Sequence, residues 1–151
     1  MSTERFYSSR RLSIVNAIVA KLADINGQYP FRSDIEGRVT PRLLFWDEVQ
    51  EFPSVHVNAG TETRQYQTGG YKDRFLTVTI RCYVKSENAV DELEGLIEDI
   101  ETVLETCSRL EYKDRDGKPQ YTQLISIASI DTDEGVLDPL GIGEIICEVR
   151  Y

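Results

Sequence analysis

The sequence has few of the residues that carry most catalytic and metal chemistry. It contains three cysteines and one histidine in 151 residues. Cys82, Cys107 and Cys147 are too few and too scattered for a disulfide framework or a CxxC metal clamp, so reduced thiols in an intracellular protein are predicted. His56 has no second histidine with which to form a metal pair, and on a strand it is expected at a surface or an interface.

Long apolar runs are also missing. No window approaches the roughly 18 apolar residues of a membrane span. The N-terminal MSTERFYSSRR lacks the apolar core of a signal peptide. We therefore expect a soluble protein without membrane partners that stays in the compartment where it is made.

Positive charge is in short supply. The chain has 17 Lys and Arg against 26 Asp and Glu, for a net charge of −9. Residues 1–45 hold seven basic and four acidic residues, whereas residues 46–151 hold ten and twenty-two. A protein that grips nucleic acid needs a basic surface to displace phosphate counterions, so this class is disfavoured. An acidic wall that repels passing DNA remains compatible with the composition.

Recognisable catalytic motifs are absent as well. No phosphate-binding GxxxxGK[ST] loop occurs, and Gly69-Gly70 is only a turn signal. Cys82 falls on the apolar side of a predicted strand, which favours packing over nucleophilic chemistry. Four carboxylates could gather a hard cation such as Ca²⁺ but lack the spacing of a known loop: Asp131, Asp133, Glu134 and Asp138. We expect no enzymatic activity, no cofactor and no metal.

The length fits one domain, residues 1–151, with a single core. Two segments carry apolar residues at helical spacing. The first, RRLSIVNAIVAKLADING, ends at the stop signal Asn26-Gly27, and the second, SENAVDELEGLIEDIETVLETC, begins near a cap at Ser86 or Asn88. The stripes are Leu12, Val15, Ile18, Val19, Leu22 and Ile25 in the first segment, and Val90, Leu93, Leu96, Ile97, Ile100, Val103 and Leu104 in the second.

The other side of the second predicted helix is acidic. No lysine or arginine pairs its carboxylates at i+4, and each like-charge pair costs about 0.2–0.5 kcal/mol. This side is either a solvated face that aids solubility or a surface kept negative for function. Its residues are Glu87, Asp91, Glu92, Glu94, Glu98, Asp99, Glu101 and Glu105.

Strand patterns surround this helix. Residues 52–59 and 75–84 alternate apolar and polar positions, a hairpin is predicted around Asp116-Gly117, and GEIICEVRY alternates along the last segment. Residues 28–45 are predicted as a loop or a short strand. The pattern predicts an α+β fold in which one mostly antiparallel sheet carries two helices on one face.

The opposite face of this predicted sheet is half polar. It carries Phe75, Arg81 and Tyr83 beside several threonines. Such a mixture suits either a solvent-exposed sheet face or a partner surface.

The stretch AGTETRQYQTGGYKDR, residues 59–74, separates two of the predicted strands. Tight hairpins close in two to five residues, and longer unstructured connections are usually functional or disordered. The stretch is therefore predicted as a long polar hairpin loop and is the first place to look for function.

The order of these motifs resembles the tail terminator proteins of flexible-tailed bacteriophages. The resemblance spans residues 10–151 and is closest to the terminators of T-five-like siphophages, with a more distant likeness to the lambda minor tail protein U. The residues that carry it are Glu51-Phe52-Pro53, Gly60-Thr61-Glu62-Thr63 with Gln65-Tyr66, and Thr132-Asp133-Glu134-Gly135 with Val149-Arg150-Tyr151.

The resemblance implies a structural protein of the virion. Proteins of this family form a ring, commonly a hexamer, that caps the head-proximal end of the tail tube and stops tube growth. The ring offers the surface on which the head docks, and genomic DNA passes through it. The implied partners are further copies of the chain, the tail tube protein and a head-completion protein, which assemble in the bacterial cytoplasm.

Two groups of residues are candidates for these contacts. The docking-loop group is Glu62, Arg64, Gln65, Tyr66 and Tyr71. The group expected between subunits or at the lumen is Phe75, Arg81, Tyr83, Asp91, Glu94, Glu98, Glu101, Asp133 and Glu134. Two alternatives stay open: another protein of the phage neck, such as a head-completion or tube protein, and a small binding module without a phage role.

Overall fold

The computed structural model describes residues 9–151. Most of the N-terminal segment MSTERFYSSRR, which was predicted not to be a signal peptide, lies outside these residues. The elements are α1 (Arg10–Leu22), β1 (Val39–Thr40), β2 (Ser54–Tyr66), β3 (Lys72–Lys85), α2 (Ala89–Thr106), β4 (Glu111–Lys113), β5 (Pro119–Tyr121), β6 (Leu124–Thr132) and β7 (Leu140–Arg150). Five strands form one sheet in the order β1-β2-β3-β7-β6, and β4 pairs with β5. Only β1 and β2 pair in parallel among the described strands, which confirms the predicted α+β architecture.

Helix α1 begins where its N-cap is satisfied. Ser9 accepts a hydrogen bond from the backbone N–H of Leu12 over 3.1 Å, which supplies one of the partners that a helix start lacks. Its buried residues are Ile14, Val15, Ile18 and Leu22. The predicted stripe is thus displaced at its start: Leu12 is 47% exposed, and Ile14 occupies the core instead.

Helix α2 packs through the predicted stripe with one exception. Leu93, Leu96, Ile97, Ile100, Val103 and Leu104 are buried, together with Ala89. Val90 is 51% exposed, because the buried side of the first turn is taken by Ala89. Before the helix, Ser86 accepts a hydrogen bond from the backbone N–H of Asn88 over 3.0 Å.

The apolar face of the sheet and both helices enclose one core. Val57 lies opposite Ile80, and Ile80 lies opposite Ile145. These residues are fully buried and belong to the same cluster as the apolar stripes of α1 and α2. Gly143 lets α2 approach β7, since a Cβ there would come within 3.1 Å of the side chains of Leu93 and Ile97.

Residues 59–74 are mostly strand, which differs from the predicted loop. β2 and β3 remain paired as far as Tyr66 and Lys72, so the turn comprises only residues 67–71. Gly69 and Gly70 have φ values of 82° and 83°, which favour glycine. The polar residues therefore build an extended hairpin whose strands continue past the core.

The opposite face of the sheet is partly covered, contrary to prediction. The segment between β1 and β2 lies over it: the hydroxyl of Tyr83 donates to the carbonyl of Leu44. His56 is 3% exposed, with Nδ1 2.7 Å from the hydroxyl of Thr40 and Nε2 3.1 Å from that of Ser54. His56 and Tyr83, 1% exposed, are consequently interior residues and not surface ones.

The predicted hairpin around Asp116-Gly117 is confirmed as β4 and β5. Asp114 holds its turn, because the carboxylate accepts backbone hydrogen bonds from Asp116 and Lys118 at 2.9 and 3.0 Å. Tyr112 of β4 packs edge-on against Tyr151, with ring centroids 6.0 Å apart.

Across residues 9–151, no helix combines the length and apolarity that crossing a membrane would require.

Candidate functional site

A β-bulge sets the orientation of the extended hairpin. Ala59 pairs with Val78, but Glu62 already pairs with Leu76, so β2 contains one more residue than β3 between these pairs. Because side chains alternate along a strand, the extra residue moves the even-numbered positions after it to the helix-side face. Glu62 lies on that face beside the buried Leu76.

The bulge also places basic residues on the helix-side face of the hairpin. Arg64 pairs with Arg74, and Tyr66 pairs with Lys72. Arg10 and Arg11 at the start of α1 and Arg115 in the β4–β5 turn come to the same place. The basic residues line a depression of about 550 Å³ that we call the cationic pocket. Among residues 9–151, they are Arg10, Arg11, Arg64, Lys72, Arg74 and Arg115.

Most of these cations have no carboxylate partner within residues 9–151. Arg64 is the exception, since its Nε donates to Glu62 over 2.7 Å. Arg11 donates to the carbonyl of Gly60, which ties α1 to the bulge. In the part of the chain that the structure describes, the buried Nε of Arg74 has no hydrogen-bond partner, although its guanidinium lies 5.4 Å from the ring centroid of Tyr151. The pocket is therefore strongly cationic.

Glu62 is a structural residue at the edge of this pocket. Its carboxylate accepts hydrogen bonds from the hydroxyl of Tyr151 and from Arg64. Burial on its own would raise the pKa of Glu62, but the hydrogen bonds from Tyr151 and Arg64 outweigh it, and the pKa is lowered. With 7% of its side chain exposed, Glu62 faces the protein's own residues, unlike the other predicted docking residues.

The remaining predicted docking residues are exposed on the hairpin. Tyr66 is 73% and Tyr71 76% exposed, and Arg64 and Gln65 are exposed beside them. The carbonyl of Tyr71 accepts a hydrogen bond from the backbone N–H of Gln67 over 2.6 Å, which closes the turn. The structure thus brings two tyrosines to the far end of a well-formed hairpin.

The uncovered part of the opposite sheet face carries two ion pairs. Arg81 bonds Glu144 over 2.8 Å, and Arg150 bonds Asp73 over 2.9 Å while lying 5.6 Å from the ring centroid of Phe75. The hydrogen bond that Arg81 donates to Glu144 is the largest cause of the raised pKa of Arg81. Phe75 and Arg81 are half-buried on this face, as the alternation predicted.

The outer side of α2 is a negative surface that we call the acidic face. It lies along a groove of about 660 Å³, and its carboxylates are Asp91, Glu92, Glu94, Glu98 and Glu101. Arg32 is the one basic residue lining that groove, 3.4 Å from Glu98, and both side chains are more than half exposed. Such an exposed ion pair contributes little to the stability of the fold.

Asp99 does not belong to the acidic face, although its position in the sequence suggested that it would. It is 2% exposed. Its carboxylate accepts backbone hydrogen bonds from Arg32 and Ser33, the latter over 2.7 Å. Asp99 therefore fixes the segment after α1 against α2.

The β6–β7 turn uses its acidic residues differently from one another. Asp133 accepts backbone hydrogen bonds from Leu137 and Ile142 at 3.1 and 3.2 Å, so it stabilises the turn. Glu134 is exposed, with a φ of 56°. Among residues 9–151, no three His, Cys, Asp or Glu side chains are grouped so that they could hold a metal ion.

An apolar surface at the other end of β3 was missed by sequence reasoning. A groove of about 500 Å³ is lined by Trp46, Phe52, Leu137 and Leu140, next to Lys85 at the end of β3. Trp46 is 57% and Leu137 42% exposed. The sequence signal for this surface was the apolar run LLFW, residues 43–46. Because the segment has no helical or strand periodicity, the pattern could not show which surface the run would form.

The two buried cysteines are unsuited to nucleophilic chemistry. Burial raises the pKa of both Cys82 and Cys147 to about 12. Cys82 packs in the core against the strand that contains Gly143, as the alternation predicted.

Comparison with known proteins gives consistent results. A family model described as bacteriophage tail tube terminator protein matches residues 8–151. The tail tube terminator protein p142 of Escherichia phage T5 is 38% identical over 152 residues, which cover 93% of this chain and 92% of that protein.

A solved structure shares the fold. A chain from the virion of a native gene transfer agent particle superposes with a TM-score of 0.63, covering 95% of this chain and 98% of that one. The sequence identity is 7%, so this likeness concerns the fold alone.

Proposed function

The chain belongs to the bacteriophage tail tube terminator proteins, and we propose that copies of it form a ring, a hexamer, that caps the head-proximal end of the tail tube. As a member of this family it is a structural protein of the virion tail that ends the tube. It associates there with the tail tube and other virion components. In the proposed ring, the cap blocks further tube subunits, receives the head and leaves a channel for DNA.

The extended β2–β3 hairpin is the observation that carries the proposed contact with the tube. Residues 63–72 are all exposed, yet they are held by strand pairing and not by the core. Tyrosine and arginine are the residues in which interfaces concentrate binding energy. Arg64, Gln65, Tyr66 and Tyr71 therefore form the proposed docking surface, while Glu62 supports it from within.

The apolar groove supplies a second contact on the opposite side. β3 contains 14 residues and spans roughly 46 Å at about 3.3 Å per residue. The hairpin tip lies beyond one end of this strand, and the groove with Trp46 lies at the other. A cap has two axial faces, and we assign the groove to the head side, where it meets the head-completion protein.

The proposed channel transmits DNA without binding it specifically. A net charge of −9 disfavours persistent contact with phosphates. We also propose that the protein has no catalytic activity of its own. Phe75 and Arg81 on the open sheet face, together with the exposed Glu134, stay proposed positions for subunit or lumen contacts.

Tails assembled without this protein test the proposal directly. We expect negative-stain images of a phage that lacks the gene to show overlong tails without heads. Supplying the wild-type gene in trans restores tails of uniform length with heads attached. Normal infectious particles in its absence would contradict the proposed cap, and long fibres from the purified protein would instead indicate a tube subunit.

A further inference from the structure

We propose that the ring closes by electrostatic docking of the acidic face of each copy into the cationic pocket of the next. This inference rests on the proposed ring and names the contact that holds its subunits together. A closed ring needs two different surfaces on each protomer, because head-to-tail contacts are heterologous. The two charged surfaces defined above meet that requirement.

The acidic face is electrostatically unfavourable in an isolated protomer. Glu94 and Glu98 are four residues apart on α2, and Glu98 and Glu101 are three apart, so neighbouring carboxylates repel each other. The last turn of α2 contains no basic residue to offset the helix dipole. A cationic surface placed against this side would relieve both effects.

The cationic pocket is complementary in number and sign. Among residues 9–151, its lining contains six basic residues and one carboxylate, that of Asp116. Within the described chain, no ion pair engages Arg10, Lys72, Arg74 or Arg115. Five carboxylates on the acidic face of another copy would neutralise most of this charge.

The two surfaces cannot neutralise each other within one protomer. They share no lining residue. The pocket lies at the N-terminal end of α1, through Arg10 and Arg11, whereas the segment after α1 reaches the acidic face at Arg32 and Ser33. Helix α1, with 13 residues, spans about 20 Å at 1.5 Å per residue between its end at the pocket and the end from which the chain continues to the acidic face. Their complementarity is therefore available only between copies.

A second copy fits the pocket better than DNA does. DNA extends beyond the pocket, so most of its phosphates would meet the negative surface of a protein whose net charge is −9. The acidic face presents its carboxylates on a folded helix, whose backbone is already ordered before docking. Each protomer carries one acidic face and one cationic pocket, so the same contact can repeat from copy to copy around the ring.

Charge reversal in a phage that lacks the gene tests this docking. The pocket variant carries Lys72→Glu and Arg115→Glu, and the face variant carries Glu94→Lys and Glu98→Lys. Like charges brought together across an interface disfavour binding strongly. We expect each variant to lower the infectious titre at least about 100-fold, and the combined fourfold variant to recover to within about 10-fold of wild type.

The control variant carries Lys113→Glu and Lys118→Glu. It makes the same charge change on the β4–β5 hairpin, which also contains Arg115, but outside the pocket lining. We expect its titre to stay within about threefold of wild type, since isolated surface charges contribute little. Thermal unfolding followed by circular dichroism verifies that every variant folds.

The outcomes separate this inference from the proposed function. If the phage needs the gene but both reversal variants act like wild type, the docking is wrong and the cap stands. A fourfold variant that folds but stays as defective as its parents would also overturn the docking. A third overturning result is tight binding of a short DNA duplex to the wild-type protein that the pocket variant loses, because the pocket would then serve DNA.

Discussion

The carboxylate of Asp99 accepts a hydrogen bond from the backbone N–H of Ser33 over 2.7 Å. Both carboxylate oxygens of Asp99 also accept from the backbone N–H of Arg32, at 3.0 and 3.1 Å. A buried helix residue thus satisfies two backbone donors from a segment without regular structure. Asp99 thus fixes α2 to the connection after α1. Its position in the sequence does not distinguish it from the exposed carboxylates of the same helix.

Replacing Asp99 should destabilise the protein measurably. Asp99→Ala leaves the amides of Arg32 and Ser33 without their acceptor, which costs about 1–3 kcal/mol of unfolding free energy. Urea unfolding measures the difference. Glu94→Ala is the matched control on an exposed position of the same helix, where we expect a change within about 0.5 kcal/mol. Equal effects of the two substitutions would contradict the assigned role of Asp99.

Two glycines should respond to alanine with opposite signs. At Gly143 a Cβ would lie 2.9 Å from Sγ of Cys82 and 3.1 Å from Leu93, so Gly143→Ala overpacks the contact between α2 and β7 and costs about 1–3 kcal/mol. Gly95 lies inside α2, and its nearest neighbour to a Cβ is Oγ of Ser33 at 4.0 Å. Gly95→Ala should stabilise by up to about 1 kcal/mol through helix propensity.

Thermal unfolding of both variants distinguishes these effects. The two substitutions add the same methyl group, so the sign of each shift depends only on the local space and backbone. A stabilising Gly143→Ala would mean that α2 lies farther from β7 than the structure indicates.

The regular parts of the fold could be predicted from the sequence because each buried face has a clear period. Val78, Ile80 and Cys82 alternate along β3, and the stripe of α2 follows helical spacing. Each stripe finds its burial against the same core. Where one residue broke the pattern, as at Leu12, another residue of the same turn, Ile14, was buried instead.

The irregular parts could not be predicted because no period encodes them. The bulge before Glu62 lies among polar residues whose alternation has no apolar member to mark the change of face. The burial of Tyr83 depends on the segment between β1 and β2, which covers the sheet face and has no helix or strand of its own, and that of His56 on its contact with the two-residue strand β1. A local pattern does not reveal which distant segment will cover a sheet face.

The proposed docking surfaces were predicted unevenly for the same reason. The acidic face is continuous in sequence on one helix, so all five of its carboxylates were predicted, but Asp99, which is buried, was wrongly included with them. The cationic pocket combines α1, both strands of the hairpin and the β4–β5 turn, and only the fold brings these four segments together.

The hydrogen bond between Tyr151 and Glu62 should make stability depend on pH. The folded-state pKa of Glu62 lies below its usual value of 4.5, so its contribution is present above about pH 4.5 and is lost as the pH falls through the folded pKa. In Tyr151→Phe the hydroxyl that lowers this pKa is missing. We expect the variant to be less stable than wild type at neutral pH and to approach it in acid.

Tyr112→Phe is the control for this comparison. Its hydroxyl makes no hydrogen bond within residues 9–151, while its ring packs against that of Tyr151. Urea unfolding at a series of pH values should give a constant difference from wild type for this variant. A constant difference for Tyr151→Phe as well would show that Glu62 is not the titrating partner.

The hairpin tip should be dispensable for folding and required for tail termination. Tyr66 and Tyr71 are exposed and contribute nothing to the core, so Tyr66→Ser combined with Tyr71→Ser should change the unfolding free energy by no more than about 0.5 kcal/mol. Loss of two interface tyrosines nevertheless removes the residue type that dominates docking energies. We expect a phage complemented with this variant to produce overlong tails with few heads attached.

A shortened hairpin sharpens the same test. Replacing residues 67–71 with Asn-Gly keeps the pair between Tyr66 and Lys72 and closes the strands with a two-residue turn that suits their twist. This change removes the tip, including Tyr71, without disturbing the bulge or the cationic pocket. Tyr29→Ser is the control for the tyrosine substitutions at the tip, because Tyr29 is 99% exposed outside the hairpin. If tails capped by the shortened protein have normal length and carry heads, the turn and Tyr71 are unnecessary, and the contact with the tube is restricted to the strand residues Arg64, Gln65 and Tyr66.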